Sequence, residues 1–191
     1  IGELIRRFPQ LSFEFDFTDA IIDLVRDGYD LAIRIGKLSP SRLKSVRLGD
    51  NILIAVASPA YLAEKPPIRE PADLTHQNCI TIRTETALTR WELCSRGRTV
   101  TTEVHPRIIG NQMTTLLRIA AQDGGVALIP SYLCQDELRR GELVRVLPHW
   151  SARPLPVSLV SPEAAMKTAR VRKVAEHLSA TIRKILSTNQ R

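Results

Sequence analysis

The sequence predicts an α/β fold, and three observations near the amino terminus carry that prediction. Residues 11–17 alternate between apolar and polar side chains, a period of two that is typical of a strand. A helical pattern follows directly after Thr18, and a second apolar strand begins at Asp30. Strand, helix and strand with short joins make a βαβ unit, whose strands are parallel and whose crossover is right-handed. Because parallel strands are buried on both faces, we expect helices on both sides of the sheet.

The elements of this unit have clear boundaries. Residues 1–8 place their apolar side chains on one helical face before a proline. Thr18 or Asp19 is expected to cap the next helix, and Gly28 is expected to end it as the residue after the carboxyl cap. The strand that follows stops at Gly36.

The middle of the chain predicts shorter elements. An apolar strand over residues 52–57 leads into a helix that starts at Ser58, and Asn111 is placed to cap a helix that ends at Gly124 and Gly125. Further strands are predicted at residues 79–83, 91–94, 99–104, 108–109, 126–129, 143–147 and 157–160, with helices at 132–140 and 165–186 and a hairpin turn at Gly97.

Composition is that of an ordinary globular protein. The 191 residues are 43% hydrophobic and 25% charged, and no apolar run approaches the roughly 20 residues that span a bilayer. The three cysteines, Cys79, Cys94 and Cys134, are odd in number and widely spaced, which predicts free thiols in a reducing, cytoplasmic compartment. The four histidines lack the spacing of metal ligands.

The net charge of +7 is concentrated at the carboxyl end of the chain. From residue 163 onwards there are seven lysines and arginines against two glutamates. Such a segment could contact nucleic acid, but a solvated helix face is the favoured interpretation because no aromatic side chains lie among the charges to stack on bases.

Signatures of catalysis are absent from the sequence. It contains no G-x-S-x-G, P-loop, G-x-G-x-x-G or H-E-x-x-H pattern. Glu14 and Asp16 could form a carboxylate pair, but a solvated or helix-contacting sheet face is the favoured explanation of their spacing. The sequence therefore predicts a binding module with no catalytic residues, metal or cofactor.

Three predicted helix starts follow strands directly, at Thr18, Ser58 and Asn111. Free backbone N–H groups and the helix dipole make such a start a seat for an anion, and in α/β sheets these ends face the crevice where ligands bind. Plain capping accounts for each start as well, so the pattern leaves open whether they converge on a ligand.

The order of motifs along nearly the whole chain resembles the effector-binding domain of LysR-type transcriptional regulators. Each motif is short, and their shared order and spacing make the likeness. They are RFP at residues 7–9, DLVRDGYDLAIRIG at 23–36, RLG at 47–49, VASPAYL at 56–62, PADL at 71–74, AAQDGGVALIP at 120–130 and ELRRGEL at 137–143.

The resemblance implies a fold like that of type 2 periplasmic binding proteins, with two Rossmann-like α/β lobes joined by two crossings. Lobe I would hold residues 1–51 plus 155–191, and lobe II would hold residues 52–154. The family's winged helix-turn-helix would precede Ile1, as would the first strand of lobe I and the loop that gives part of the pocket.

The resemblance also implies an effector site between the lobes. The residues carried over to it are Thr18, Arg34, Ile35, Ser58, Asn111, Gln112 and Pro130. Arg34 is the natural partner of a carboxylate, although a salt bridge to a neighbouring acid is an equal alternative. The expected ligand is a small organic anion, aromatic or carboxylate, bound without cofactor or metal.

The resemblance further implies a cytoplasmic homodimer or homotetramer that regulates transcription and contacts DNA only through the preceding domain. In such an assembly the predicted helix at residues 19–26 would pack on lobe II of a second subunit. The alternative is a secreted solute-binding protein of the same fold, which requires an upstream signal peptide. An enzyme on this fold is a third candidate, and it would need a converging catalytic set that the sequence does not show.

Overall fold

The computed structural model of the chain describes residues 2–18, 22–83 and 89–188. In chain order its elements are α1 (Gly2–Arg7), β1 (Ala32–Ile35), β2 (Lys44–Asn51), β3 (Leu53–Ala57), α2 (Pro59–Ala63), a 3-10 helix (Pro71–His76), β4 (Cys79–Ile82), β5 (Arg90–Ser95), β6 (Arg98–Glu103), β7 (Pro106–Gly110), α3 (Met113–Ala121), β8 (Val126–Pro130), α4 (Gln135–Arg140), β9 (Val144–Arg145), β10 (Ser151–Ala152), β11 (Leu155–Ser161), α5 (Glu163–Met166) and α6 (Ala169–Thr188). The chain forms two compact units, Ile1–Asp50 with Leu155–Arg191 and Asn51–Pro154.

The first unit contains a three-stranded sheet in the order β1-β11-β2. β1 pairs with β11 in antiparallel register, which sets Arg34 opposite Ser158. The predicted parallel βαβ unit is therefore wrong here, because the partner of β1 comes from the far end of the chain and runs the other way. α6 buries Val171 and Val174 on the face that packs into this unit.

The predicted strand over residues 11–17 is also wrong, although the alternation behind it is real. Phe13, Phe15 and Phe17 lie on one side of an extended segment, their ring centroids 6.0 Å apart at each step. None of the described residues pairs with this segment as a strand. Side-chain periodicity sets which way side chains point, whereas a strand exists only when a neighbour accepts its backbone hydrogen bonds.

The predicted helix after Thr18 is reduced to a single turn in the described part of the chain. Its predicted cap Asp19 lies outside the described residues. Asp23 caps the described turn, its Oδ1 accepting hydrogen bonds from the backbone N–H groups of Val25 and Arg26 at 3.0 and 3.2 Å. Gly28 ends the turn with φ +78°, which confirms its predicted role.

The second unit is built on a five-stranded sheet in the order β7-β4-β8-β3-β9. β4 runs parallel to β7 and β8, and β3 runs antiparallel to β8. Along β3, Ile54 and Val56 pack with α3, whereas Ala55 and Ala57 pack in a cluster with Trp91. Both faces of the sheet are therefore buried, as the apolar strand over residues 52–57 predicts.

Strands β5 and β6 form a hairpin in a smaller sheet of the order β10-β5-β6. The predicted turn is confirmed: Gly97 has φ +81° and Arg96 has φ +46°, a left-handed pair that suits a two-residue turn. Trp91 and Leu93 point inward from β5 and are 2% and 1% exposed.

Some predicted boundaries shift in the structure. The amino-terminal cap of α3 is Gln112 and not Asn111, and its side chain makes no capping hydrogen bond. The helix predicted after Ser131 begins only at Gln135. The final predicted helix divides into α5 and α6.

Candidate functional site

Arg34 of the first unit lies in a cleft of about 290 Å³. Its side chain is half-buried, and Nη2 donates a hydrogen bond of 2.7 Å to the carbonyl oxygen of Ile22. The chain leaves β1 through Gly36, whose φ of +106° strongly favours glycine, and returns to the sheet as β2. The loop between these strands supplies Leu38, Ser39, Pro40, Ser41 and Leu43 to the lining of the cleft.

Three serines line the same cleft, Ser39, Ser41 and Ser45. No acid pairs with Arg34 in residues 2–18, 22–83 or 89–188, where its hydrogen-bond partner is the neutral carbonyl of Ile22. The salt-bridge alternative therefore finds no support in these residues. One guanidinium beside several hydroxyls is an arrangement that accepts a carboxylate or a phosphate oxygen.

The other two predicted residues of the first unit lie outside this cleft. Ile35 follows Arg34 on the strand, so its side chain points to the opposite face, where it is 51% exposed. Thr18 is exposed at the end of the extended segment. Of these three residues, Arg34 alone lines this cleft.

Three predicted residues of the second unit lie at one edge of its sheet. Asn111 and Gln112 follow the carboxyl end of β7, and Pro130 ends β8. Both strands run parallel to β4, which lies between them, so these ends are separated by about 10 Å, twice the spacing between strands. Just after Pro130, the Ser131 N–H donates to the carbonyl oxygen of Ile52 at 2.8 Å, which extends the pairing of β8 with β3.

Ser58 lies at the opposite edge of that sheet. It follows the end of β3, which runs antiparallel to β8, so about five residues of strand, or roughly 15 Å, separate it from Pro130. The side chain is 2% exposed. Its Oγ donates to Asp123 Oδ1 at 2.6 Å and accepts from the N–H of Tyr61 at 3.1 Å. In the structure it caps α2 and ties it to the turn before β8.

The buried thiols of the second unit are poor nucleophiles. Burial raises the pKa of Cys79 to about 12 and that of Cys134 to about 11. Both side chains are 0% exposed, whereas Cys94 is half-buried on β5. At neutral pH the two buried groups are thiols and not thiolates, so neither supports covalent chemistry.

Two further geometric findings concern the described residues only. No three histidine, cysteine, aspartate or glutamate side chains among them come together as a metal site requires. None of the helices among them combines the length and the apolar composition of a membrane span.

Sequence reasoning missed the three serines beside Arg34. They occur within the run Leu38-Ser39-Pro40-Ser41, and at Ser45, just after the Gly36 that ends an arginine-bearing strand. A serine-rich loop directly after such a strand is a signal that could have been found.

Comparison with known proteins identifies the family. The sequence profile of the LysR substrate binding domain matches residues 1–183. The chain belongs to this family. The resemblance inferred from the motifs is confirmed, and so is its α/β fold of the type 2 periplasmic-binding-protein kind.

Relatives of this LysR substrate-binding domain are transcriptional regulators. It is 33% identical over 174 residues to the HTH-type transcriptional regulator PtxR of Pseudomonas aeruginosa, an alignment covering 91% of this chain and 56% of PtxR. The chain spans about half the length of the curated relatives it matches. These relatives do not favour the secreted solute-binding alternative.

Solved regulatory domains share the fold of this family member. The regulatory domain of AphB from Vibrio vulnificus superimposes with a TM-score of 0.78 at 24% identity, covering 94% of this chain and 89% of that one. The CrgA regulatory domain of Neisseria meningitidis gives a TM-score of 0.79 at 19% identity, covering 98% and 89%.

Proposed function

We propose that the chain is the effector-sensing part of a transcriptional regulator, and that its effector is a small organic anion bound at Arg34. The main support for an anionic effector is the half-buried guanidinium of Arg34, which has no acidic partner among the described residues. A half-buried charge without a counter-ion is costly, and a carboxylate that accepts hydrogen bonds from Arg34 would offset that cost.

The serine hydroxyls of the cleft support the same ligand class. Ser39, Ser41 and Ser45 supply neutral donors around one cation, which suits an anion better than a neutral apolar molecule. The volume of about 290 Å³ is at the lower limit for small-molecule sites. A compact carboxylate therefore fits better than a large effector.

The proposal assigns different roles to the remaining predicted site residues. Asn111, Gln112 and Pro130 stay in the proposed binding set, because two exposed side-chain amides beside a strand end can hydrogen-bond to polar groups of a ligand. Thr18 and Ile35 remain predictions drawn from the resemblance. Ser58 is proposed to support the fold and not the ligand, because both of its hydrogen bonds are internal.

The proposal extends to the whole regulator. DNA binding would reside in a further part of the protein, as the helix-turn-helix names of the curated relatives suggest. Residues 1–51 plus 155–191 and residues 52–154 would act as two lobes of a cytoplasmic homodimer or homotetramer. Effector binding would shift a pre-existing equilibrium of that oligomer, without catalysis, metal or cofactor.

Calorimetric titration of the chain with a panel of small aromatic and aliphatic carboxylates tests the anion. We expect at least one acid to bind, and Arg34→Gln to weaken it by about 30-fold, since a charge-assisted hydrogen bond is worth about 2 kcal/mol. Arg34→Lys keeps the charge without the planar fork and should give an intermediate affinity.

Arg98→Gln is the matched control for this titration. It removes one exposed positive charge from the second unit, where Arg98 has no acidic partner among the described residues. If Arg34→Gln and Arg98→Gln weaken acid binding equally, the loss reflects the net charge of the chain and not a specific contact with Arg34. Binding that survives Arg34→Gln unchanged would contradict the proposed role of Arg34.

A further inference from the structure

A second cleft on the first unit has no place in the proposed effector site. It is an open surface cleft of about 330 Å³ beside the end of α1 and the start of α6. Arg7, Arg170 and Lys173 line it together with an apolar floor that includes Phe8, Pro9 and Leu11. It shares no lining residue with the cleft at Arg34.

The floor of this cleft is fixed by the packing of α1 on α6. The ring of Phe8 meets His177 of α6 edge to face, with centroids 6.0 Å apart. The Leu11 N–H donates to the Phe8 carbonyl oxygen at 3.0 Å, which closes the turn after α1. Phe8 and Leu11 are both half-buried and Pro9 between them is exposed, so the fold holds the two outer members of the floor.

The cations of the cleft are placed by helix geometry. α6 buries Val171 and Val174. Arg170 and Lys173 precede them by one residue each and are three residues apart, so they lie side by side on the adjoining exposed face. Arg7 approaches from the last turn of α1.

These three cations have no acidic partner within ion-pair distance among the described residues. Elsewhere in the same part of the chain exposed arginines are paired, as Arg47 is with Asp50 at 2.6 Å. Glu3 and Glu176 are the acids of α1 and α6, and neither lines the cleft. Three positive charges around an apolar floor create a local field that attracts anions.

We propose that this cleft binds a second organic anion, one with an apolar body as well as a charged group. The carboxylate, sulfonate or phosphate group would lie among Arg7, Arg170 and Lys173, and the aromatic or acyl body would cover the floor. The volume lies within the range of small-molecule sites, and a mainly apolar lining with a few charged groups is the usual composition of such sites. An inorganic anion would leave the floor uncovered, and a neutral apolar molecule would leave the charges unused.

The fluorescent aromatic sulfonate 1-anilinonaphthalene-8-sulfonate has the required chemistry and is the probe for the test. Titration of the chain at low salt should show saturable binding. Arg170→Gln with Lys173→Gln should weaken that binding by about tenfold or more. Arg7→Gln alone should weaken it by about threefold through the same loss of charge. Both changes affect exposed helical positions where glutamine is well tolerated.

The matched control is Arg98→Gln with Arg118→Gln, which removes two exposed positive charges from the second unit. It lowers the net charge by the same amount and should change the affinity by less than about twofold. Equal weakening by both double variants would overturn the cleft as the site. Loss of binding in Arg34→Gln would also overturn it, because the probe would then occupy the proposed effector cleft.

Two further arms test the chemistry of the ligand. The neutral analogue N-phenyl-1-naphthylamine should bind the chain more weakly than the sulfonate, and equal affinity would contradict a role for the three cations. Light scattering during the titration should show no change of mass. If the signal instead follows association of the chain, the cleft is a contact between copies and the small-anion proposal fails.

Discussion

Replacing Gly125 by alanine adds a single methyl group, yet it should lower the free energy of unfolding of the second unit by several kcal/mol. Gly125 has φ +141°, a conformation that side chains rarely adopt, and an added Cβ would lie 2.2 Å from the carbonyl oxygen of Asn78. That carbonyl accepts a hydrogen bond of 2.9 Å from Val126 N–H at the start of β8. The change therefore strains the backbone and displaces a hydrogen bond between two central strands.

The expected cost is the sum of these effects. Backbone strain contributes about 1–3 kcal/mol. Losing the bond between Val126 and Asn78 adds about 1 kcal/mol. Separating the Cβ from the Asn78 carbonyl requires a shift of about 1 Å in a packed sheet, so we expect a total near 4 kcal/mol.

Gly141→Ala is the matched control. Gly141 also has a positive φ, +71°, but an added Cβ there would meet no atom within 4 Å. It should cost only about 1 kcal/mol, the ordinary penalty for alanine in the left-handed region. The difference between the two variants isolates the contact with Asn78.

Urea unfolding followed by tryptophan fluorescence measures both variants. The two tryptophans of the chain, Trp91 and Trp150, both belong to the second unit and report on it alone. Gly125→Ala should lower the urea midpoint several times more than Gly141→Ala. A Gly125→Ala chain that is already unfolded without urea would also agree with the prediction. Equal shifts would refute the steric argument.

Three further predictions concern cysteine and serine side chains of the second unit. A disulfide reagent at pH 8 should modify Cys94 rapidly and Cys79 and Cys134 only on unfolding, since burial holds their thiol pKa values near 12 and 11. Above the ordinary thiol pKa of 9.0 the unfolded chain releases protons that the folded chain keeps, so the free energy of unfolding should fall as the pH rises beyond that value. If the thiols are the cause, replacing these cysteines by serine should remove this pH dependence. Ser58→Ala should cost about 1–2 kcal/mol in urea unfolding, with Ser131→Ala as the near-neutral control. Ser58→Ala should leave the effector affinity unchanged. Weaker effector binding by this variant would show that Ser58 belongs to the binding site.

Elements with local signals were predictable from the sequence. Gly28 and Gly97 have the left-handed conformations expected of a helix end and a hairpin turn. The apolar run at residues 52–57 becomes β3, buried on both faces. These predictions hold because glycine conformation and burial of apolar side chains depend on a few neighbouring residues.

The candidate site was predictable only in part. Arg34 stands out in sequence as a charged residue within an apolar strand, and the structure gives it a cleft. Two serines of that cleft, Ser39 and Ser41, come from a loop without periodicity, and the third, Ser45, lies at the start of β2, so their position depends on how Gly36 redirects the chain. Ser58 resembles the other helix starts in sequence, but the antiparallel course of β3 carries it to the opposite sheet edge.

The sequence by itself determined that this is an α/β member of the LysR substrate-binding domain family, because the order of its motifs can be read along the chain without knowing any tertiary contact. Tertiary structure alone decided which strands pair and which charges lack partners. The phenylalanines at 13, 15 and 17 alternate like a strand yet find no strand partner among the described residues, and β1 pairs with a segment more than a hundred residues away. Backbone pairing and charge neutralisation are properties of two groups brought together in space, and one-dimensional order does not specify the second group.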